Sequence, residues 1–176
     1  RKYVDPQAKI SAVLITHSHV DHYMGLTGIV DPNDILYVSQ KRYSDSMLRD
    51  GKVLVVAPNG FYEEAISENL YLGNSMERRA AYMYGMFLPK DELGQVGAGL
   101  GKAVGYSSGK LIKPSFELKG EKDNIANLTI DGLSITFQDV PGTEAPAEFH
   151  VLLNDYKVLC PGENVSYTMH NLLTPR

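Results

Sequence analysis

The chain has a single cysteine, Cys160, in 176 residues. That excludes an internal disulfide framework and any metal site built from several thiolates. It also lacks an excess of basic residues. Its 17 Lys and Arg face 21 Asp and Glu, leaving a formal charge of −4 at pH 7. A nucleic-acid partner, which needs a basic footprint, is therefore not expected. No apolar run approaches the roughly 18 residues of a membrane span. The opening Arg1-Lys2-Tyr3-Val4-Asp5 has no apolar stretch of the kind a secretory signal carries. Repeats and low-complexity linkers are missing too. What is present is an ordinary globular composition, 43% hydrophobic and 22% charged, in a length that suits one domain with a sizeable core. A metal in such a chain would have to be held by His, Asp and Glu.

The pattern of elements is mixed, with strands and intervening helices followed by hairpins. Residues 10–16 are apolar and β-branched and predict a buried strand, with further strands at 35–39 and 52–57. Pro58-Asn59-Gly60 closes the third of these as a turn. Helices are predicted over 61–72 and 74–84, the second with Asn74 as N-cap and Glu77 completing a capping box. Residues 94–109 are glycine-rich, but Val96 and Val104 stand where a phosphate-binding loop or a dinucleotide fingerprint needs glycine, so they predict an irregular loop. Asp131-Gly132 between two β-branched runs predicts a hairpin, and 151–160 predicts another around Asn154-Asp155. Cys160 reads as a small buried residue at a strand end, not a nucleophile.

The chemistry concentrates at the end of the first strand. His17-Ser18-His19-Val20-Asp21-His22 places four possible metal ligands within six positions. One histidine there would be read as a satisfied core or surface residue. Three of the chain's five, with an aspartate among them, are harder to read that way. His17 and His19 can converge on one metal, and Asp21 and His22 can serve a second. Such ligands suit zinc, iron or manganese, and two metals roughly 3.5–4 Å apart can share a hydroxide.

This segment resembles the signature of the metallo-β-lactamase superfamily. Four further stretches narrow the resemblance to its linear alkylsulfatase branch: residues 73–85 (Gly73-Asn74-Ser75 onward), 95–101, 141–148 (Pro141-Gly142-Thr143-Glu144-Ala145-Pro146-Ala147-Glu148), and Glu163-Asn164 followed by His170-Asn171-Leu172. The resemblance runs in order over nearly the whole chain. It implies an α/β fold, an αββα sandwich, here incomplete at both ends, with two Zn2+ at the strand ends. His17, His19 and Glu144 would hold the first metal, Asp21 and His22 the second, and Glu163 both. Glu148 competes with Glu144 and ranks below it. His170 would donate a proton to the leaving alcohol. Asn171 and Arg176 would hold the sulfate, the latter through its planar fork. Arg78 and Tyr84, with Arg79 and Tyr82, would line the pocket. Met76, Met83, Met86, Phe87 and Leu88 are candidates for a greasy wall, although helix-core roles suit them better.

The implied activity is hydrolysis of alkyl sulfates such as dodecyl sulfate, in a homo-oligomer, expected as a dimer, of a secreted or periplasmic bacterial protein. Two other readings stay open. One is a different hydrolase on the same site, such as an esterase, lactonase or phosphodiesterase. The other is a catalytically incomplete metal-binding core. The family's second metal has a further histidine ligand downstream, and no His follows His170. The expectation is a fragment whose second metal is weakly held, whose uncovered apolar faces favour association, and whose activity alone is low.

Overall fold

The structure, a computed structural model, describes residues 5–95 and 109–165. The chain divides into two compact units, one of residues 1–64 and 109–165 and one of residues 65–108 and 166–176. Most of the glycine-rich segment, together with His170, Asn171 and Arg176, lies outside the described residues.

The first unit holds two sheets. Strands β1 (Ala12–Leu14), β2 (Leu54–Pro58) and β3 (Phe116–Leu118) form a parallel sheet in that order. All five residues of the central strand β2 are buried, as a continuous apolar run in a parallel sheet should be. Strands β4 (Ile125–Ile130), β5 (Leu133–Asp139), β6 (Phe149–Leu153) and β7 (Val158–Cys160) form an antiparallel meander. The core is one cluster drawn from both sheets. Leu54, Val56, Phe116 and Leu118 of the first join Ala126, Ile130, Ile135, Phe137, Phe149 and Val151 of the second. Phe137 and Phe149 meet edge to face at 5.1 Å, a favoured aromatic arrangement.

The predicted Asp131-Gly132 turn is present, with φ of 52° and 78°. Positive φ at both central residues is what a two-residue hairpin following the sheet's twist requires. The Asp45 carboxylate accepts hydrogen bonds from both turn amides. A Cβ on Gly132 would meet nothing within 4 Å, so the cost of Gly132→Ala is conformational alone. It should be about 1 kcal/mol, read as a lowered urea midpoint with unchanged slope. An unchanged midpoint would count against this turn geometry.

Strand β3 was not foreseen in the sequence. It matters because Glu117 reaches from it to accept hydrogen bonds from Gly60 N at 2.9 Å and Tyr62 N at 2.8 Å. Those contacts satisfy amides at the start of helix α1 (Phe61–Ile66) that lack helical partners. The strand expected at 35–39 shrinks to a single bridge between Ile35 and Val53. A 3-10 turn at Gln40–Arg42 takes up the Ser39 carbonyl, which accepts from Arg42 N and Tyr43 N. Cys160 does lie at a strand end, but it is exposed, not buried. It belongs to edge strand β7, whose residues are all exposed.

In the second unit the helical path continues as a π-helical stretch, Ser67–Tyr71, and then as α2 (Gly73–Met83). The expected helix over 61–72 therefore changes its hydrogen-bond pattern midway. Asn74 is not an N-cap. The Leu72 carbonyl already accepts from Ser75 N and Met76 N, so Asn74 lies within the first helical turn, and the cap residue Leu72 makes no side-chain bond. Phe87 and Leu88, two of the greasy-wall candidates, are exposed. Among the described residues no helix is long and apolar enough to cross a membrane.

Candidate metal centre

The site begins where β1 leaves its sheet. Ile15 N still bonds to Val56 O, but the next residues pair with the other sheet. Phe149 N donates to Thr16 O at 3.0 Å and Ser18 N to Ala147 O at 3.1 Å, around an antiparallel bridge between His17 and Glu148. The end of a parallel strand is thereby stitched to the head of β6. His17 is completely buried at this seam. A 3-10 turn, Val20–His22, then carries Asp21 and His22, with His19 at its N-cap. Successive ligands thus sit on a strand end and a tight turn, and their side chains converge instead of alternating across a sheet.

Two loops of the antiparallel half bring carboxylates to these imidazoles. Glu144 lies in a turn closed by Gly142 N to Ala145 O at 2.9 Å, with Gly142 at φ 73°. Glu163 follows β7, after Gly162 at φ 59°. Glu163 Oε2 lies 3.5 Å from His17 Nε2 and 3.2 Å from His22 Nε2. Glu144 Oε1 is 3.6 Å from His19 Nδ1, and Asp21 Oδ2 is 3.5 Å from His22 Nε2. The rings of His17 and His22 are 4.1 Å apart, and those of His17 and His19 4.9 Å. The six residues expected to hold metal therefore lie in a run of neighbouring contacts, Glu163 against His17 and His22, Glu144 against His19 and Asp21 against His22. Asp21, 70% exposed, is the outermost.

The donor set fits a metal on three counts. One atom each from His17, His19 and Glu163 lie within 4.8 Å of one another. Ligands about 2.0–2.1 Å from a tetrahedral ion stand about 3.4 Å apart, close to the imidazole–carboxylate separations here. His17 Nε2 is buried and has no hydrogen-bond partner, which is unusual for a native structure. Its Nδ1 is 2.9 Å from Thr16 Oγ1. With that nitrogen donating, Nε2 keeps a bare lone pair.

The electrostatics agree. Burial holds His17 below the ordinary histidine value, and the neighbouring His22 and His19 push the same way. A neutral imidazole is the form that binds metal. His22 is pushed above its ordinary value, chiefly by its hydrogen bond with Asp21 and further by Glu163. The same contact holds Asp21 below the usual carboxylate range.

Of the expected substrate-binding residues, Asn171 and Arg176 lie outside the described residues. Arg78 and Tyr84 belong to the second unit, where Arg78 is exposed and donates from Nε to Asn74 O within α2. Thr143 and Asn164, which the sequence presents only as members of the resembling stretches, also take part. Asn164 Nδ2 lies 3.1 Å from Thr143 Oγ1 and 2.8 Å from His150 Nε2, linking the two carboxylate loops. The adjacency of each to an expected ligand was the available signal.

Comparison with known proteins agrees with this geometry. Residues 4–159 match the Metallo-beta-lactamase superfamily. The chain is 40% identical over 171 residues to a linear primary-alkylsulfatase of Pseudomonas sp., covering 97% of this chain and 23% of that protein. It is 37% identical to an alkyl/aryl-sulfatase of Saccharomyces cerevisiae, again over 97% of this chain and 24% of the relative. A solved double mutant of the sec-alkyl sulfatase PisA1 superposes with a TM-score of 0.75 at 37% identity, covering 97% of this chain and 24% of that one. The chain spans about a quarter of the length of these relatives. A strand end that delivers three histidines and an aspartate to carboxylates from the opposite sheet, in a sequence matched over residues 4–159, makes this chain a member of the metallo-beta-lactamase superfamily.

Proposed function

We propose that this chain contributes the metal-binding core of an enzyme that hydrolyses alkyl sulfate esters to alcohol and sulfate. The observation that carries this is the meeting of His17, His19, Asp21, His22, Glu144 and Glu163 in a chain so similar to named alkylsulfatases. His17, His19 and Glu144 would hold one Zn2+, Asp21 and His22 a second, with Glu163 shared. Bound metal supplies Lewis acidity, polarising an ester oxygen and lowering the pKa of water.

The chain's own residues set the stage for that chemistry. Burial favours the neutral form of His17. Three carboxylates offset the charge of the ions, yet two dications exceed three carboxylates, so a loaded site attracts an anionic ester even in an acidic chain. His170 would give a proton to the departing alcohol. Asn171 and Arg176 would hold the sulfate, and Arg78 and Tyr84 would line the pocket. The exposure of Asp21 favours a second reading, a core holding one metal at His17, His19 and Glu163.

Metal content per chain, measured together with release of alcohol from dodecyl sulfate, tests the proposal. About two zinc ions with turnover supports it. Turnover of phosphate or carboxylic esters instead would assign another hydrolase of the same fold. One ion or none, without turnover, would leave the incomplete core.

The site also predicts a pH dependence. In the metal-free chain, the protonated His22 pairing stabilises the fold below the ordinary histidine value of 6.5. That contribution is lost as pH rises through the raised value. Metal binding runs the other way, because His22 must give up its proton. Zinc affinity should fall about tenfold per pH unit below the raised value for each proton displaced. Titrations near pH 8, 7 and 6 check this, and a flat affinity would remove His22 from the ligands.

A further inference from the structure

Glu148 is 1% exposed, and its two oxygens face two different loops. Oε2 accepts from Glu144 N at 3.0 Å, from Ala145 N at 3.1 Å and from Thr143 Oγ1 at 2.9 Å. The two backbone amides, with a hydroxyl that Oε2 shares with Val140 O, hold the turn that presents the Glu144 side chain. Oε1 is buried and has no hydrogen-bond partner. A Cβ built on Gly162 would stand 3.1 Å from it, so the segment just before Glu163 passes close to this carboxylate and only glycine fits there without crowding it. Asn164, just after Glu163, donates to Thr143 Oγ1, which closes a circuit through both loops. The bridge between His17 and Glu148 ties the same residue to the histidine segment.

We infer that Glu148 is a positioning residue: buried beneath the cluster's carboxylate loops, it sets where Glu144 and Glu163 stand relative to His17 without itself holding metal. The inference rests on the metal-binding reading above. Its mechanism is hydrogen-bond acceptance. A neutral acceptor of the same shape should therefore replace Glu148, whereas an apolar residue should not. Groups that orient metal ligands in this way typically change affinity by 10–100-fold when removed.

The test is a titration of the metal-free 176-residue chain with Co2+, following affinity and the visible absorption spectrum, which reports ligand geometry. Glu148→Leu should bind about 10–100-fold more weakly with an altered spectrum. Glu148→Gln should restore both to within a few-fold of the wild-type chain. Thr143→Val removes one donor from an exposed position and should weaken binding in the same direction by less. Should Glu148→Leu fail to fold, it decides the matter together with Glu148→Gln, which keeps the Asn164 and Val140 contacts of Thr143 while changing Glu148 alone.

Wild-type affinity and spectrum in Glu148→Leu, or in Thr143→Val, would overturn the inference. So would a Glu148→Gln variant as impaired as Glu144→Gln, since that would make Glu148 a ligand. A wild-type chain that is folded by circular dichroism yet binds no Co2+ would overturn the metal reading itself, and the inference with it.

Discussion

Replacing His17 by Ala is expected to lower zinc or cobalt affinity by more than 100-fold and to abolish the stabilisation that metal confers. Removing groups that merely orient ligands costs about 10–100-fold, and His17 offers the buried, unpartnered lone pair at the centre of the cluster. Its Nε2 faces Glu163, and its ring lies against those of His19 and His22. The backbone on either side is held by Thr16 O and Ser18 N, and those bonds survive the substitution. The metal-free variant should therefore unfold within about 2 kcal/mol of the wild-type chain, a common scale for point substitutions. Metal at about a thousand times its dissociation constant adds about 4 kcal/mol to a chain that binds it. The wild-type melting temperature should rise accordingly on loading, and that of His17→Ala should not. An equal rise in both would remove His17 from the site.

Phe137→Ala should be the most damaging change in the core. Phe137 is fully buried, lies edge to face with the equally buried Phe149, and belongs to the cluster shared by the two sheets. Truncating such a ring costs about 3–5 kcal/mol, because lost transfer energy is joined by the cavity left behind. A domain has only about 5–15 kcal/mol in hand, so the variant should lose a large share of its stability. The effect reaches the site as well. Phe149 donates the backbone bond to Thr16 that seats His17. Urea unfolding monitored by circular dichroism checks this, and a loss below about 1 kcal/mol would show that Phe137 does not anchor the core.

The legible parts of this chain were those whose cause is local. The histidine cluster is contiguous, so its chemistry could be read from spacing alone. The Asp131-Gly132 hairpin needs only two residues with positive φ between alternating strands. Glu144 and Glu163 differ in kind. Nothing near them in sequence distinguishes them from ordinary loop acids, and only the family resemblance pointed to them. Their approach to His19 and His17 is tertiary. Strand β3 escaped notice because it is three residues long, follows Lys113-Pro114-Ser115 and owes its existence to pairing with β2. Asn74 carries a good capping side chain, but the π-helical stretch before it delivers the chain already wound. Glu148 looked like a rival ligand. Its burial, which no composition rule reveals for a carboxylate, gives it a different task.

The two sheets also differ in how far along the chain their partners lie. The meander joins strands that are neighbours in the chain, β4 to β5 by a two-residue turn and β5 to β6 by residues 140–148, whereas the parallel sheet pairs Ala12 with Leu54 and Val56 with Phe116. Distant partners must bear the entropy of closing long loops before contact rewards them. This contrast predicts that the antiparallel half forms early and β1 docks late, bringing its histidines to Glu144 before β6 and Glu163 after β7. On that order a metal ion would meet a cradle already assembled and would act as a latch, slowing escape from the native state more than it speeds arrival.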